Sequence, residues 1–121
     1  MEDMDALLSA PGVKDRAVLP FKVKENDALM RSIIAAGSVR SAFYVLDLGR
    51  VVDLYGRWRR ALPGVRPFYA VKCNTDRGLL GELAALGAGF DCASRREMES
   101  VLALGAEIGR ASCRERVLRL V

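Results

Sequence analysis

A lysine and an aspartate each stand near the end of an apolar run, in positions from which their side chains could share one site. Lys72 lies in the run of residues 67–74 (PFYAVKCN), and Asp91 lies in the run of residues 89–93. Because side chains alternate along a strand, Lys72 shares a face with Ala70. If the two runs form neighbouring parallel strands, we expect Lys72 and Asp91 on the same face near the strands' C-terminal ends.

The chemistry that suits such a pair is imine formation. A lysine amine can condense with a carbonyl compound, and desolvation in a site lowers the cost of keeping the amine neutral. Pyridoxal phosphate is the carbonyl compound most widely used in this way, as an electron sink for carbanions. Taken singly, Lys72 also fits a strand-end lysine that reaches solvent, and Asp91 a residue at a helix start. Together, at matching depth on one face, they favour a site.

The remaining composition argues against other classes of site. The chain has no histidine, and Cys73, Cys92 and Cys113 lack CxxC spacing, so we expect no metal site and reduced thiols in the cytoplasm. No apolar run approaches the roughly 18 residues that span a bilayer. The net charge is a mild +4, and the densest arginine group, at residues 57–60, is better explained by a solvated helix face than by a nucleic-acid surface. We therefore expect neither nucleic acid nor membrane as a partner.

The elements around the two candidate residues alternate between strand and helix. A strand over 67–73 precedes a helix over about 75–86, and a strand over 89–93 precedes a helix over about 95–104. Short connections between alternating strands and helices are typical of a parallel α/β sheet. Because such a sheet is covered on both faces, two strands predict the opening of a larger fold. That fold is either a parallel sheet with more strands or a closed TIM-type (β/α)8 barrel, whose active sites lie at the C-terminal ends of the strands.

Upstream, the pattern is less regular. Asn26 is predicted to cap a helix, residues 42–46 form an apolar run typical of a strand, and Asp47 is predicted to cap a second helix that ends at residues 63–64. Before Asn26 the chain is weakly patterned. Residues 18–23 could form only a short edge strand, because they contain a proline.

The strings PFYAVKCN and GAGFDCAS together resemble the eukaryotic ornithine decarboxylases of the alanine-racemase-like pyridoxal-phosphate barrel family. The preceding string FYVLDLGRVVDLYGRWRRALPGV resembles the plant members in particular. The resemblance runs from about Ala42 to Gly105. It implies an N-terminal fragment of a cytoplasmic, homodimeric enzyme that converts ornithine to putrescine with pyridoxal 5'-phosphate. In that family, residues 1–46 would accompany a separate β-domain, and residues 47–106 would form the first βα units of the barrel.

The same resemblance implies roles for four residues. Lys72 would bind pyridoxal phosphate as a Schiff base, and Asp91 would be the acidic residue of the second strand, near the lysine and the cofactor. Ala70 would also contact the cofactor, and Glu97 would help to manage the lysine and the cofactor during the cycle. Glu97 also fits a capping box that begins at Ser94, and both roles are compatible. The family's phosphate-binding loop and further catalytic residues come later, so we expect the isolated chain to be inactive.

The last segment departs from the family pattern. A third barrel strand is expected after Gly105, but residues 107–117 carry five charges, too many for a buried parallel strand. Codons of a common sequencing adapter would encode the string EIGRASCRERV. We therefore interpret residues 107–121 as adapter read-through, and expect no buried strand paired there beside residues 89–93. Without this segment, which holds four arginines and two glutamates, the net charge falls from +4 to +2.

Two alternatives stay open. One is a non-catalytic homologue that binds a regulatory protein, as antizyme inhibitors do, and fold alone cannot separate it from an enzyme. The presence of Lys72, Asp91 and Glu97 together favours the enzyme. The other is a decarboxylase of diaminopimelate, arginine or another basic amino acid, and the string FDCAS argues against a diaminopimelate or arginine decarboxylase. The choice of ornithine rests on the resemblance only.

Overall fold

The computed structural model describes residues 7–14, 16, 18 and 26–113. Two helices, α1 (Asn26–Ala35) and α2 (Leu48–Ala61), precede an alternating series of strands, helices and two 3₁₀ turns. That series is β1 (Phe68–Ala70), a 3₁₀ turn (Val71–Cys73), α3 (Arg77–Ala85), β2 (Gly89–Cys92), α4 (Arg95–Ala103), a second 3₁₀ turn (Ile108–Arg110) and β3 (Ala111–Cys113). The part of the chain that the structure describes has no helix long and apolar enough to cross a membrane.

The strands form one parallel sheet in the order β1-β2-β3. In its ladder Ala70 pairs with Asp91, and Asp91 pairs with Ser112 on the other side. The parallel α/β architecture expected from the alternation of strands and helices is therefore confirmed. The closed eight-stranded barrel remains part of the proposal made below.

The core lies between one face of the sheet and the helices. Phe90 of β2 has no exposed surface, and it clusters with Tyr55 of α2, Leu80 of α3 and Val101 of α4. The alternate residues of the ladder, which face the other way, are more open: Phe68 is 52% exposed, and Ala70 and Asp91 are half-buried. The sheet thus has a packed face and a more open face, and Asp91 lies on the open one.

Side-chain caps fix where the helices begin. The Asp47 carboxylate accepts a hydrogen bond from the Arg50 backbone N–H at 2.9 Å, as predicted. Asn26, by contrast, is the first residue of α1 rather than its cap. Its side-chain amide donates to the Asp47 carboxylate at 3.1 Å. That bond ties the start of α1 to the start of α2.

Two strand predictions need correction. The strand expected over 67–73 pairs only from Phe68 to Ala70, and the chain then turns through Val71–Cys73. Within the described residues β1 has a ladder on one side only, so little holds its end extended. The residues 42–46 form no strand, since no described strand pairs with them, and Tyr44 is 99% exposed. The edge strand expected over 18–23 lies, apart from Val18, outside the described residues.

The expectation that no buried strand pairs beside β2 after residue 106 was wrong about the pairing, although Ala111 is only half-buried and Ser112 is exposed. β3 pairs in parallel with β2, from Phe90 with Ala111 to Cys92 with Cys113. The charges that argued against a strand lie outside its three residues. In the preceding turn Arg110 is ion-paired to Glu107 at 2.8 Å.

Candidate active site

Lys72 lies in the 3₁₀ turn that directly follows β1. Its neighbour Val71 is 1% exposed and anchors the turn in the core, whereas Lys72 itself is exposed. Among the described residues the Lys72 ammonium has no ion pair. The turn therefore presents an accessible amine at the C-terminal end of a parallel strand.

Asp91 lies on β2, the strand that pairs with β1. Its register partner is Ala70, and Lys72 follows Ala70 by two residues, past the point where β1 ends. Asp91 is half-buried and makes no ion pair within the described chain. The pairing brings Ala70 and Asp91 to adjoining positions on the more open face. Because the chain turns at Val71, the alternation of side chains along β1 does not determine the direction of the Lys72 side chain.

Glu97 is held at the end of β2 by two backbone hydrogen bonds. Its own N–H donates to the Ser94 hydroxyl at 3.3 Å, which confirms Ser94 as the cap of α4. Its carboxylate accepts from the Ala93 N–H at 2.7 Å, one residue before the cap. This is a variant of the predicted capping box, and it fixes the carboxylate beside the C-terminal end of β2.

Two hydrogen bonds that were not predicted from the sequence hold the residues on either side of the Lys72 turn. The Tyr69 hydroxyl donates to the Asn74 carbonyl at 3.4 Å, and the Asp76 N–H donates to the Asn74 side-chain oxygen at 2.9 Å. The spacing Asn-x-Asp before a helix is the signal for this Asx turn. Burial raises the pKa of the Tyr69 phenol, so the hydroxyl stays protonated and able to donate at neutral pH.

Asp76, whose N–H donates to Asn74, is also the N-terminal cap of α3. Its carboxylate accepts from the N–H groups of Gly78 at 2.8 Å and Leu79 at 3.2 Å, and from the Arg16 guanidinium at 2.7 Å. Burial alone would raise the pKa of the Asp76 carboxyl. The hydrogen bonds from Leu79, Arg16 and Gly78, with the charge of Arg16, outweigh burial and bring that pKa below its ordinary value. The helix that follows the Lys72 turn therefore begins at a charged, well-anchored cap.

These residues fit an aldehyde cofactor. The Lys72 side chain is a primary amine with no ion pair to any described residue, in a turn at the C-terminal end of a parallel strand, and such an amine can condense with an aldehyde. Ala70, which carries only a methyl group, is half-buried and pairs with Asp91 on the open face. No group of three or more His, Cys, Asp or Glu side chains that could hold a metal occurs in the described residues.

A separate cavity of about 360 Å³ lies at the opposite end of β1. It is lined by Arg59, Gly64, Val65, Arg66 and Phe68. Phe68 begins β1, whereas Lys72 follows its last residue. This cavity is therefore not the candidate active site.

Comparisons with known proteins agree on one family. The family model for the pyridoxal-binding domain of the pyridoxal-dependent decarboxylases matches residues 48–116. Over 92 residues the chain is 51% identical to the chloroplastic ornithine decarboxylase of Nicotiana glauca, an alignment that covers 74% of this chain and 21% of that protein. Over 104 residues it is 41% identical to the ornithine decarboxylase of Rattus norvegicus, covering 86% of this chain and 21% of that protein.

The fold is similar to that of a solved decarboxylase. The crystal structure of the Paramecium bursaria Chlorella virus arginine decarboxylase bound to agmatine matches with a TM-score of 0.66 and 35% sequence identity, over 70% of this chain and 23% of that one. The chain spans about a fifth of the length of the curated relatives named above. The match of the family model over more than half of the sequence shows that the chain belongs to the pyridoxal-dependent decarboxylases.

Proposed function

We propose that this chain is part of a homodimeric ornithine decarboxylase that converts ornithine to putrescine and carbon dioxide with pyridoxal phosphate. We call the whole enzyme the parent. The observation that carries the proposal is the exposed Lys72 amine directly after β1, beside the register pair of Ala70 and Asp91. The parent would complete the sheet as a (β/α)8 barrel, with these residues at the C-terminal ends of its strands.

Each residue has a distinct part in this proposal. Lys72 would hold the cofactor through its amine and release it to the amine of the substrate. Asp91 would accept a hydrogen bond from the Lys72 ammonium or from a substrate ammonium on the same face. Glu97, fixed by the Ala93 N–H, would keep a carboxylate at the end of β2 that can exchange protons with these amines. When bound, pyridoxal phosphate supplies an electron sink for the carbanion left by loss of carbon dioxide.

Ornithine is favoured over arginine by the relatives. The two ornithine decarboxylases named above are 51% and 41% identical to this chain, against 35% for the viral arginine decarboxylase. A decarboxylase of another basic amino acid is the competing proposal. Assaying the parent with ornithine, arginine, lysine and diaminopimelate would discriminate, and the highest kcat/KM is expected for ornithine.

Replacing Lys72 by alanine in the parent tests the assignment of the amine. We expect the absorbance of bound cofactor to be lost and kcat to fall by orders of magnitude, because covalent attachment is lost. The variant Lys24→Ala removes another lysine of the chain and is expected to keep both properties. Turnover close to wild type in Lys72→Ala would show that Lys72 is not the cofactor-binding residue. A parent that binds no cofactor would favour the non-catalytic homologue.

A further inference from the structure

The segment before α1 contacts the helix layer with a three-residue period. Leu7, Ala10 and Val13 are 6%, 4% and 1% exposed, and Arg16 continues the spacing. Backbone hydrogen bonds from residue 10 to 7, from 13 to 10 and from 16 to 13 produce this period, because each turn places residues i and i+3 on one side. We call residues 7–14 and Arg16 the N-terminal strap. From the sequence this region was expected to be weakly patterned, and the repeat was not predicted.

Glycines allow the strap and α3 to touch backbone to backbone. A β-carbon on Gly81 would collide with the carbonyl oxygen of Pro11. A β-carbon on Gly12 would lie 2.5 Å from the Arg77 carbonyl oxygen and 2.8 Å from a Leu104 methyl group. Gly12 also has a φ of +88°, a conformation that residues with a β-carbon rarely adopt. The contact therefore depends on glycine on both sides.

The strap ends on the cap of the helix that follows the Lys72 turn. Arg16 pairs with Asp76 at 2.7 Å, and the two side chains are 53% and 26% exposed. Asp76 is in turn bound to Asn74, which accepts from Tyr69 of β1. A continuous set of contacts thus leads from the strap, through the first turn of α3, to both ends of the turn that carries Lys72.

We propose that the N-terminal strap positions the Lys72 turn by holding the start of α3. Lys72 is the residue that touches the cofactor in the function proposed above, on which this inference rests, and Gly12, Arg16 and Gly81 are positioning residues. Loss of the strap contact would free the first turn of α3 and the preceding residues 71–76. The amine would then spend less time in the orientation that binds the cofactor.

The substitution Gly81→Ala tests the strap contact by whether it raises or lowers Tm. In the middle of a helix, replacing glycine by alanine normally stabilises the protein. Gly56 in the middle of α2 is the matched control, because its added β-carbon would meet only the end of the flexible Arg60 side chain. In the parent we expect Gly56→Ala to raise Tm and Gly81→Ala to lower it. An increase of Tm in both variants would overturn the strap contact.

Hydrogen exchange in the cofactor-free parent locates the effect. We expect Gly81→Ala to speed exchange of the amides of residues 71–80 several-fold, and Gly56→Ala to leave them unchanged. Arg16→Ala, which removes only a half-exposed ion pair and so leaves the fold intact, is expected to speed exchange of the first amides of α3. Arg16→Lys is expected to restore protection. Unchanged exchange in both Gly81→Ala and Arg16→Ala would contradict the inference.

Cofactor affinity separates positioning from simple stabilisation. Well below Tm, the dissociation constant for pyridoxal phosphate is expected to rise several-fold in Gly81→Ala and to stay unchanged in Gly56→Ala. Faster exchange with unchanged affinity would mean that the strap docks without positioning Lys72, and would overturn the proposal. If the wild-type parent bound no cofactor, the proposed function would fail, while the exchange comparison would still test the strap contact.

Discussion

At the scale of single residues, the candidate site depends on two neighbours in the chain, one buried and one exposed. Val71 is 1% exposed and Lys72 is exposed, so burial of one apolar side chain fixes the backbone that carries the amine. On the open face the ring of Phe68 lies over Gly89, where an added β-carbon would come within 2.7 Å of the ring. A large residue on one strand thus packs against the smallest on the next, below the pair of Ala70 and Asp91.

Among the residues that the structure describes, Glu82 is a buried ionisable group that no proposed role uses. It is 3% exposed in α3, and burial raises the pKa of its carboxyl above the ordinary value of 4.5. The folded state then holds this proton more tightly than the unfolded state, so stability is lost as the pH rises through 4.5 towards the raised pKa. Each unit of that difference is worth about 1.4 kcal/mol.

We therefore expect Glu82→Gln to raise the free energy of unfolding of the parent at pH 7 and to have a smaller effect at pH 4. Urea unfolding at the two pH values measures the difference. Glu99→Gln serves as the control, because Glu99 is 60% exposed in an i,i+4 pair with Arg95 and should change stability by less than about 0.5 kcal/mol. A destabilised Glu82→Gln at pH 7 would show that the carboxylate has a partner in the parent.

At the scale of elements, alternation and caps were readable from the sequence. Asp47 and Ser94 stand one residue before their helices, and both cap as predicted. The neighbouring parallel strands also follow from the pattern, and their register sets Asp91 beside Ala70.

The features that could not be predicted from the sequence depend on which other segments of the chain pair or pack with them. The end of β1 at Ala70 follows from an edge strand with one ladder, and periodicity carries no information about which strand lies at an edge. The apolar run at residues 42–46 has the composition of a strand but no described partner. The strap went unseen because a period of three matches neither a helix nor a strand.

The cap of α3 gives a test at this scale. We expect Asp76→Ala in the parent to cost about 1 kcal/mol, since the Gly78 and Leu79 N–H groups lose their acceptor. Asp76→Asn keeps an acceptor oxygen and should cost less. Because the Asp76 pKa is lowered in the folded state, its charge contributes stability above the ordinary value of 3.8 and loses it as the pH falls through the lowered pKa.

The free energy of unfolding measured at pH 7 and pH 3 distinguishes the contribution of the Asp76 charge from that of its cap hydrogen bonds. Asp76→Asn should differ from wild type more at pH 7 than at pH 3. Equal differences at both pH values would mean that the charge of Asp76 contributes nothing beyond its hydrogen bonds.

At the scale of the whole molecule, the described sheet is open on one face and at both edges. Phe68, on the open face, is 52% exposed, and β1 and β3 each have one neighbour among the described strands. The read-through interpretation of residues 107–121 has lost its structural support with the pairing of β3, and rests on the codon match alone. The genomic sequence of the locus decides it.

We expect the purified 121-residue chain to release no carbon dioxide from ornithine beyond the rate of free pyridoxal phosphate. Rate enhancement depends on preorganised groups around the cofactor, and the three described strands offer only one side of a site. Release of labelled carbon dioxide from carboxyl-labelled ornithine, with excess cofactor, is the measurement. Turnover clearly above the free cofactor would mean that this chain is a complete catalyst.

The most direct test of the central claim is to find where the cofactor is attached in the parent. Borohydride reduction of the loaded parent, followed by proteolysis and mass spectrometry, fixes the cofactor to the lysine that holds it. We predict a single pyridoxyl-modified peptide that contains PFYAVKCN, with the added mass on Lys72, and no such peptide in Lys72→Ala. Attachment to any other lysine, or no attachment to the wild-type parent, would contradict the assignment of Lys72 as the cofactor-binding residue.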